Sequence, residues 1–165
     1  GNNRFDCVMC GFQFYQNTAA ACGAILTVPP HPHAAGGDAS SERILLLVRG
    51  QPPAEGLLDY PGGFIDPGES AEQALYREVR EEIGLVPANL EYLTSAANQY
   101  EYRGIVYSTC DLVFTGTVLE PPLFVQESEV GGYELFEPSQ VPIDRIAFPS
   151  LQTAMGLFLK SRYGL

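Results

Sequence analysis

The sequence predicts an α/β domain with a mixed sheet between helices. Three observations carry this expectation. Short aliphatic or β-branched segments bounded by Pro, Gly and Ser recur along the chain, as strands do. Two other segments repeat their apolar residues at helical spacing, one central and one near the end. Strands both precede and follow the first helix without strict alternation, and no internal repeat is present.

The elements follow in order. "TAAACGAILTV" (18–28) and "RILLLVRG" (43–50) read as buried strands. Between them, "PPHPHAAGGDASSE" (29–42) has the composition of a long flexible loop. Its histidines, His31 and His33, read as loop side chains, because a Pro-rich flexible backbone does not preorganise a metal site. "LLDYPGGFID" (57–66) supplies short extended pieces around a Pro-Gly-Gly turn. A helix then starts at Ser70, with Gln73 completing a capping box, and ends at Gly84, with Pro87 preventing its resumption. Two aromatic and β-branched segments (90–104 and 105–119) meet at Arg103-Gly104 as a long hairpin. "GGYELFEP" (131–138) is a further strand, and 149–164 is an amphipathic helix with basic residues in its last turn.

Composition narrows the function. The chain has 165 residues, 45% of them hydrophobic and 18% charged, which is one globular domain with a real core. A formal charge of −11 argues against a groove for a nucleic-acid backbone, so no nucleic-acid partner is expected. A small phosphate can still bind if a cation stands between the negative partners. No apolar run reaches the roughly 20 residues that span a bilayer, so no membrane association is expected. No signal or transit peptide is visible and the four cysteines are sparse, which makes a cytoplasmic location the default. Gly1 reads as the scar of a tag.

One feature of the central helix needs explaining. Glu78, Glu81 and Glu82 crowd its last turns, where like charges repel by about 0.2–0.5 kcal/mol per pair. The helix dipole adds about 0.3–1 kcal/mol against anions there. With Glu78 at zero on the helical wheel, Ala71, Leu75, Val79 and Ile83 fall at roughly 20°, 60°, 100° and 140° and form the buried stripe. Glu82, at about 40°, lies inside that arc, and Glu81, at about −60°, lies beside it. Arg77 and Arg80 fall further round, toward solvent. A merely solvated acidic face would lie opposite the stripe, and Arg77 can neutralise one carboxylate but not three. Closely spaced hard oxygen ligands suit Mg2+ or Mn2+, which would offset the repulsion.

The stretch from Gly63 to Leu85 resembles the signature of the Nudix hydrolases at every fixed position. Gly63 is followed after five residues by Glu69, and after seven more by Arg77-Glu78-Val79-Arg80-Glu81-Glu82-Ile83-Gly84-Leu85. The resemblance implies the family's α/β/α sandwich, with a mixed sheet between helices. It also implies metal-dependent hydrolysis of a pyrophosphate bond in a nucleoside diphosphate linked to another moiety, of ADP-ribose, NADH or nucleotide-sugar type. The alternative is a catalytically weak sensor or binding protein on the same fold. Carried over by position, Glu78, Glu81 and Glu82 match metal ligands, and the Gly63 carbonyl can join them. Glu82 and Glu81 are also candidate catalytic groups, with Glu82 placed to bridge ions or orient water. Arg77 and Glu69 match positions that support the loop and helix. In the acidic loop "QESEVGGYELFE", Glu129 is the first choice for an additional catalytic glutamate and Glu127 the second. Family members are often dimers, and the tyrosine-rich hairpin offers a surface compatible with a homodimer.

The front end, "CVMCGFQFYQNTAAACGAIL", is similar to the join between a zinc ribbon and the catalytic domain in NADH-pyrophosphatase-like members. The implied division is a zinc-ribbon remnant at 1–16 and a Nudix hydrolase domain at 17–165. Tetrahedral zinc needs four ligands, and only Cys7 and Cys10 stand at knuckle spacing, with six residues before them. Structural zinc held by Cys7 and Cys10 alone is therefore not expected, and Cys22 reads as a buried strand residue. The NADH-cleaving subgroup also carries a Trp-containing motif after its box, whereas this chain has no tryptophan. NADH is thus a doubtful preferred substrate. Tyr100 and Tyr102, with Tyr107, could stack on a base.

Overall fold

A computed structural model describes residues 3–30 and 42–165. His31 and His33 lie outside the described residues. The elements are β1 (Arg4–Asp6), β2 (Gln13–Tyr15), β3 (Ala19–Val28), β4 (Arg43–Arg49), β5 (Leu58–Asp59), β6 (Gly62–Phe64), α1 (Ala71–Ile83), β7 (Ala88–Tyr102), β8 (Ile105–Thr117), β9 (Val130–Phe136) and α2 (Pro149–Tyr163). The main sheet runs β5-β4-β3-β8-β7, with β6 added to β3 and β9 to β4. The β3–β8 pair is parallel and the other pairs are antiparallel, so the sheet is mixed as expected.

Strand periodicity explains why helices cover both faces. Successive side chains of a strand point to opposite sides. Leu45 and Leu47 of β4 join Leu26 of β3 under Leu75, Val79 and Ile83 of α1. Ile44 and Leu46 join Ile25 under Leu151, Met155, Phe158 and Leu159 of α2. A strand buried on both faces has no polar alternation, which is why "ILLLV" reads as one aliphatic run. Each such side chain contributes about 1.5–3 kcal/mol on full burial.

The first helix has the ends its sequence promised. Ser70 accepts from the Gln73 backbone while the Gln73 side chain reaches back, and Gly84 closes the helix at φ 70. The β7–β8 hairpin turns at Arg103-Gly104, between Tyr102 and its partner Ile105. Among the described residues, no helix is long and apolar enough to cross a membrane.

The sheet is split where the site forms. The end of β3 (Leu26–Val28) pairs with β4, but its earlier part (Ala21–Gly23) pairs with β6. Likewise β4 leaves β3 after Leu45 and pairs with β5 through Leu47 and Val48. Residues 58–64 therefore wedge between two parting strands, tied in by the Ala24 N–H donating to the Pro61 carbonyl at 3.0 Å. A cavity opens beside this wedge.

The front hairpin stands apart from this core. Among the described residues, β1 and β2 pair only with each other, and every residue in them is exposed. Cys7 and Cys10 lie in the exposed turn. Hydrogen bonds from the backbone of Cys10, then of Met9, lower the Cys7 thiol below its ordinary value. Cys22 is buried in β3, and burial pushes its thiol up to about 11.

Candidate active site

The cavity measures about 440 Å³ and is lined by β3, β4, the 58–64 wedge, α1, the β7–β8 hairpin and the start of α2. Helix α1 supplies its acidic wall. Glu82 is only 8% exposed, as its place within the apolar arc requires. Its Oε2 accepts from the Gly62 N–H at 2.9 Å. Burial holds its carboxyl well above the ordinary carboxylate range; the Gly62 bond opposes this, and the charges of Glu78, Asp59 and Glu129 reinforce it.

Glu78 stands one turn earlier. Burial raises its carboxyl, Arg77 lowers it, and Glu81 and Glu129 raise it again. Its Oε1 accepts from Arg77 Nη1 at 2.7 Å. Gly63 makes room for it, since a Cβ at that position would lie 2.5 Å from Glu78 Oε1. The Gly63 carbonyl meets the Cys22 thiol at 3.7 Å.

Arg77 departs from its wheel position. It is half-buried, curling back from the helix because its guanidinium finds a set of acceptors in the loop. Nε and Nη2 each lie 2.9 Å from a Glu69 oxygen, and Nη2 also donates to the Phe64 carbonyl at 3.1 Å. Glu69 and Arg77 thus join the 62–69 loop to the helix. Arg80 is exposed, as expected.

Glu129 reaches the same cavity from another segment. The Gln126 N–H donates to the Glu82 carbonyl at 2.8 Å, satisfying a backbone acceptor near the end of α1. The Gly50 N–H holds the Glu129 carbonyl at 2.8 Å. Glu127 is exposed and does not line the cavity. Glu81 also stays off the cavity wall, with its side chain 55% exposed and 3.5 Å from Arg77. Glu78, Glu82, Gly63 and the exposed Glu129 therefore line one cavity, and Glu81 lies on the outer rim.

Among the described residues, no three Asp, Glu, His or Cys side chains converge closely enough to form a metal site by themselves. Two arginines line the cavity, Arg77 and Arg49. The first is engaged by Glu69 and Glu78, the second by Asp59. Among the described residues, buried Glu82 has one backbone donor and no ion pair, with Glu78 and Glu129 beside it. Glu82 is thus a wall carboxylate without a counter-charge, and its oxygens are of the hard type that a divalent cation prefers.

The side of the cavity toward α2 has a different chemistry. Tyr100 packs edge-on against Phe64 at 5.6 Å and tilted against Phe148 at 5.9 Å between ring centroids. Tyr102 also lines the space, whereas Tyr107 does not. Arg49 lies over the Phe148 ring at 5.1 Å. Asp111 is buried and hydrogen-bonded to Thr109 and Ser150. Sequence reading missed Arg49, Asp59, Phe148 and Asp111. Asp111 had a signal, a lone charge inside the otherwise uncharged strand "IVYSTCDLVFTGT". The others became neighbours only through tertiary pairing.

With this geometry in view, likeness to known proteins can be stated. A profile of the NUDIX domain matches residues 35–154, well over half of the chain. The chain belongs to the Nudix family. An RNA pyrophosphohydrolase of Shewanella loihica is 52% identical over 44 residues, 27% of this chain and 25% of that protein. An ADP-ribose pyrophosphatase of Methanocaldococcus jannaschii is 47% identical over 45 residues, 27% of each chain. The match thus spans about a quarter of these curated relatives. A NUDIX hydrolase from Nitrosomonas europaea superposes with a TM-score of 0.63 at 23% identity, covering 98% of this chain and 81% of that one. The NUDIX domain of Shewanella oneidensis NrtR, complexed with ADP ribose, gives 0.67 at 22% identity, covering 89% and 90%. The Nudix fold expected from the box is therefore the fold of this chain.

Proposed function

We propose that this Nudix chain is a pyrophosphohydrolase that uses Mg2+ or Mn2+ to cleave a nucleoside diphosphate linked to another moiety. The observation that carries the reading is buried Glu82, which has no ion pair among the described residues and stands with Glu78 and Glu129 at the wall of a cavity of about 440 Å³. A bound divalent ion supplies charge neutralisation at the phosphates and a lowered pKa for water. The protein's own groups do the rest. Glu78 and Glu82 would hold the ion, with Glu81 and the Gly63 carbonyl as further candidate ligands. Arg77, gripping Glu69, fixes Glu78 and keeps loop and helix in register. Glu129, from the loop before β9, would take a proton from the attacking water. Tyr100 and Tyr102 offer flat faces to a base.

The chemistry is mainly positioning and electrostatics, because the phosphoanhydride is itself reactive once its charge is masked. ADP-ribose and nucleotide sugars are the substrate class proposed. The M. jannaschii relative's name and the ADP-ribose complex of the structural neighbour support that class. The test is a panel of ADP-ribose, NADH, nucleotide sugars, dinucleoside polyphosphates and nucleoside triphosphates, incubated with Mg2+ or Mn2+. Turnover on at least one member, reduced on the order of a hundredfold or more in Glu82→Gln, is the expected result. No turnover on any member would favour a Nudix-fold sensor instead.

The front hairpin enters the proposal only as a separate segment. Residues 1–16 are read as a zinc-ribbon remnant and 17–165 as the catalytic domain. Cys7 and Cys10, two thiols on one exposed turn, supply half of a tetrahedral set.

A further inference from the structure

The acidic wall provided by α1 accounts for only part of the cavity. On the opposite, α2-facing side sits a second carboxylate that the proposed hydrolysis does not use. Asp111 of β8 is 8% exposed and lines the cavity. Its Oδ1 accepts from Thr109 Oγ1 at 2.8 Å, and its Oδ2 from Ser150 Oγ at 2.7 Å. No arginine or lysine among the described residues pairs with it, since Arg49 on the same side is taken by Asp59.

A carboxylate offers about four acceptor positions. Two hydroxyls occupy one position on each oxygen, so one on each oxygen is left. Two free acceptors side by side match two adjacent donors on a ligand. Acceptor positions left open at a cavity wall are costly unless something in the cavity satisfies them. The aromatic pair of Tyr100 and Phe148 lines the same space and offers an apolar surface on which a ring can lie.

We propose that Asp111 is a specificity-determining residue that accepts two adjacent hydrogen bonds from the substrate. The donors are either the vicinal hydroxyls of a ribose or the neighbouring N–H groups on the edge of a purine. This rests on the reading of the cavity as a nucleotide-derivative site. Ser150 and Thr109 aim the carboxylate. A purely structural Asp111, serving only as an anion at the start of α2, would affect melting alike for every ligand and leave substrate choice unchanged.

The test compares wild type, Asp111→Asn and Ser150→Ala on substrate pairs that differ only in their donors. One arm sets a nucleoside diphosphate sugar against its 2′-deoxynucleoside counterpart, removing one hydroxyl of the diol. The other sets guanosine against inosine diphosphate sugars, removing one N–H donor group from the purine edge. Wild type is expected to discriminate within one pair by about tenfold or more in kcat/KM. In Asp111→Asn that ratio falls to within about twofold, mainly through KM. Should Asp111→Asn not fold, Ser150→Ala keeps the carboxylate but loosens its aim, and the ratio is expected to drop several-fold. Discrimination in neither arm, or discrimination untouched by either substitution, overturns the proposal. Calorimetric binding of the same pairs to Glu82→Gln reads the same ratios without turnover. A failure of hydrolysis is thereby distinguished from a failure of recognition.

Discussion

Glu82 is a carboxylate that folding by itself disfavours. Burial raises its folded pKa above the unfolded value. Between those two values the native state holds more protons than the unfolded state, so native stability falls as pH rises. The metal-free protein should therefore lose stability as pH climbs out of the ordinary carboxylate range, and Glu82→Gln should remove part of that slope. Melting of both proteins between pH 4 and pH 8 in chelator checks this; parallel curves would contradict it. Arg77 presents the opposite case, a charge well supplied with partners. Its loss strands Glu69 and Glu78 together. Arg77→Ala is expected to cost about 1–3 kcal/mol by denaturant unfolding. Arg77→Lys should not restore activity, because an ammonium cannot reproduce the fork held by both Glu69 oxygens.

The elements explain why these side chains meet. Helix α1 faces the sheet through Leu75, Val79 and Ile83, and that packing carries Glu82 inward whatever its charge prefers. The 62–69 loop must approach the helix closely enough for Gly63 to touch Glu78. Gly63→Ala therefore pushes the Glu78 carboxylate out of place. The expected outcome is a fall in kcat/KM out of proportion to any change in melting temperature, read by steady-state kinetics beside a thermal scan. The helix start is a simpler matter. Ser70→Ala breaks the capping box and should cost about 1 kcal/mol with turnover retained, measured by denaturant unfolding.

At the scale of the molecule, what the sequence disclosed depended on whether the signal was local. Caps at Ser70 and Gly84, the turn at Arg103-Gly104 and the inward angle of Glu82 are set by a few neighbouring residues, and the structure bears them out. The wedge of residues 58–64 between parting strands was invisible, because it depends on how β3 and β4 choose partners along their length. Asp59, Arg49 and Phe148 come together only through that choice. Arg77 was misplaced for a related reason: a wheel gives the direction of a Cβ, not the reach of a long side chain toward Glu69. Glu81 matched the family pattern but stands exposed on the rim. The front hairpin follows from the same bookkeeping of contacts. With β1 and β2 paired only to each other and exposed throughout, removal of residues 1–16 should leave the main melting transition within a few degrees. A large drop in calorimetry would show that the hairpin is part of the fold.

On the proposed function, Glu78 and Glu82 are tolerated together because a divalent cation completes them. Calorimetric titration of Mn2+ into the chelator-treated protein, wild type beside Glu82→Gln, tests it most directly. Saturable uptake by wild type is expected, at least about tenfold weaker in the variant, with a larger rise in melting temperature for wild type. Equal uptake by the two proteins, or none by either, would contradict it.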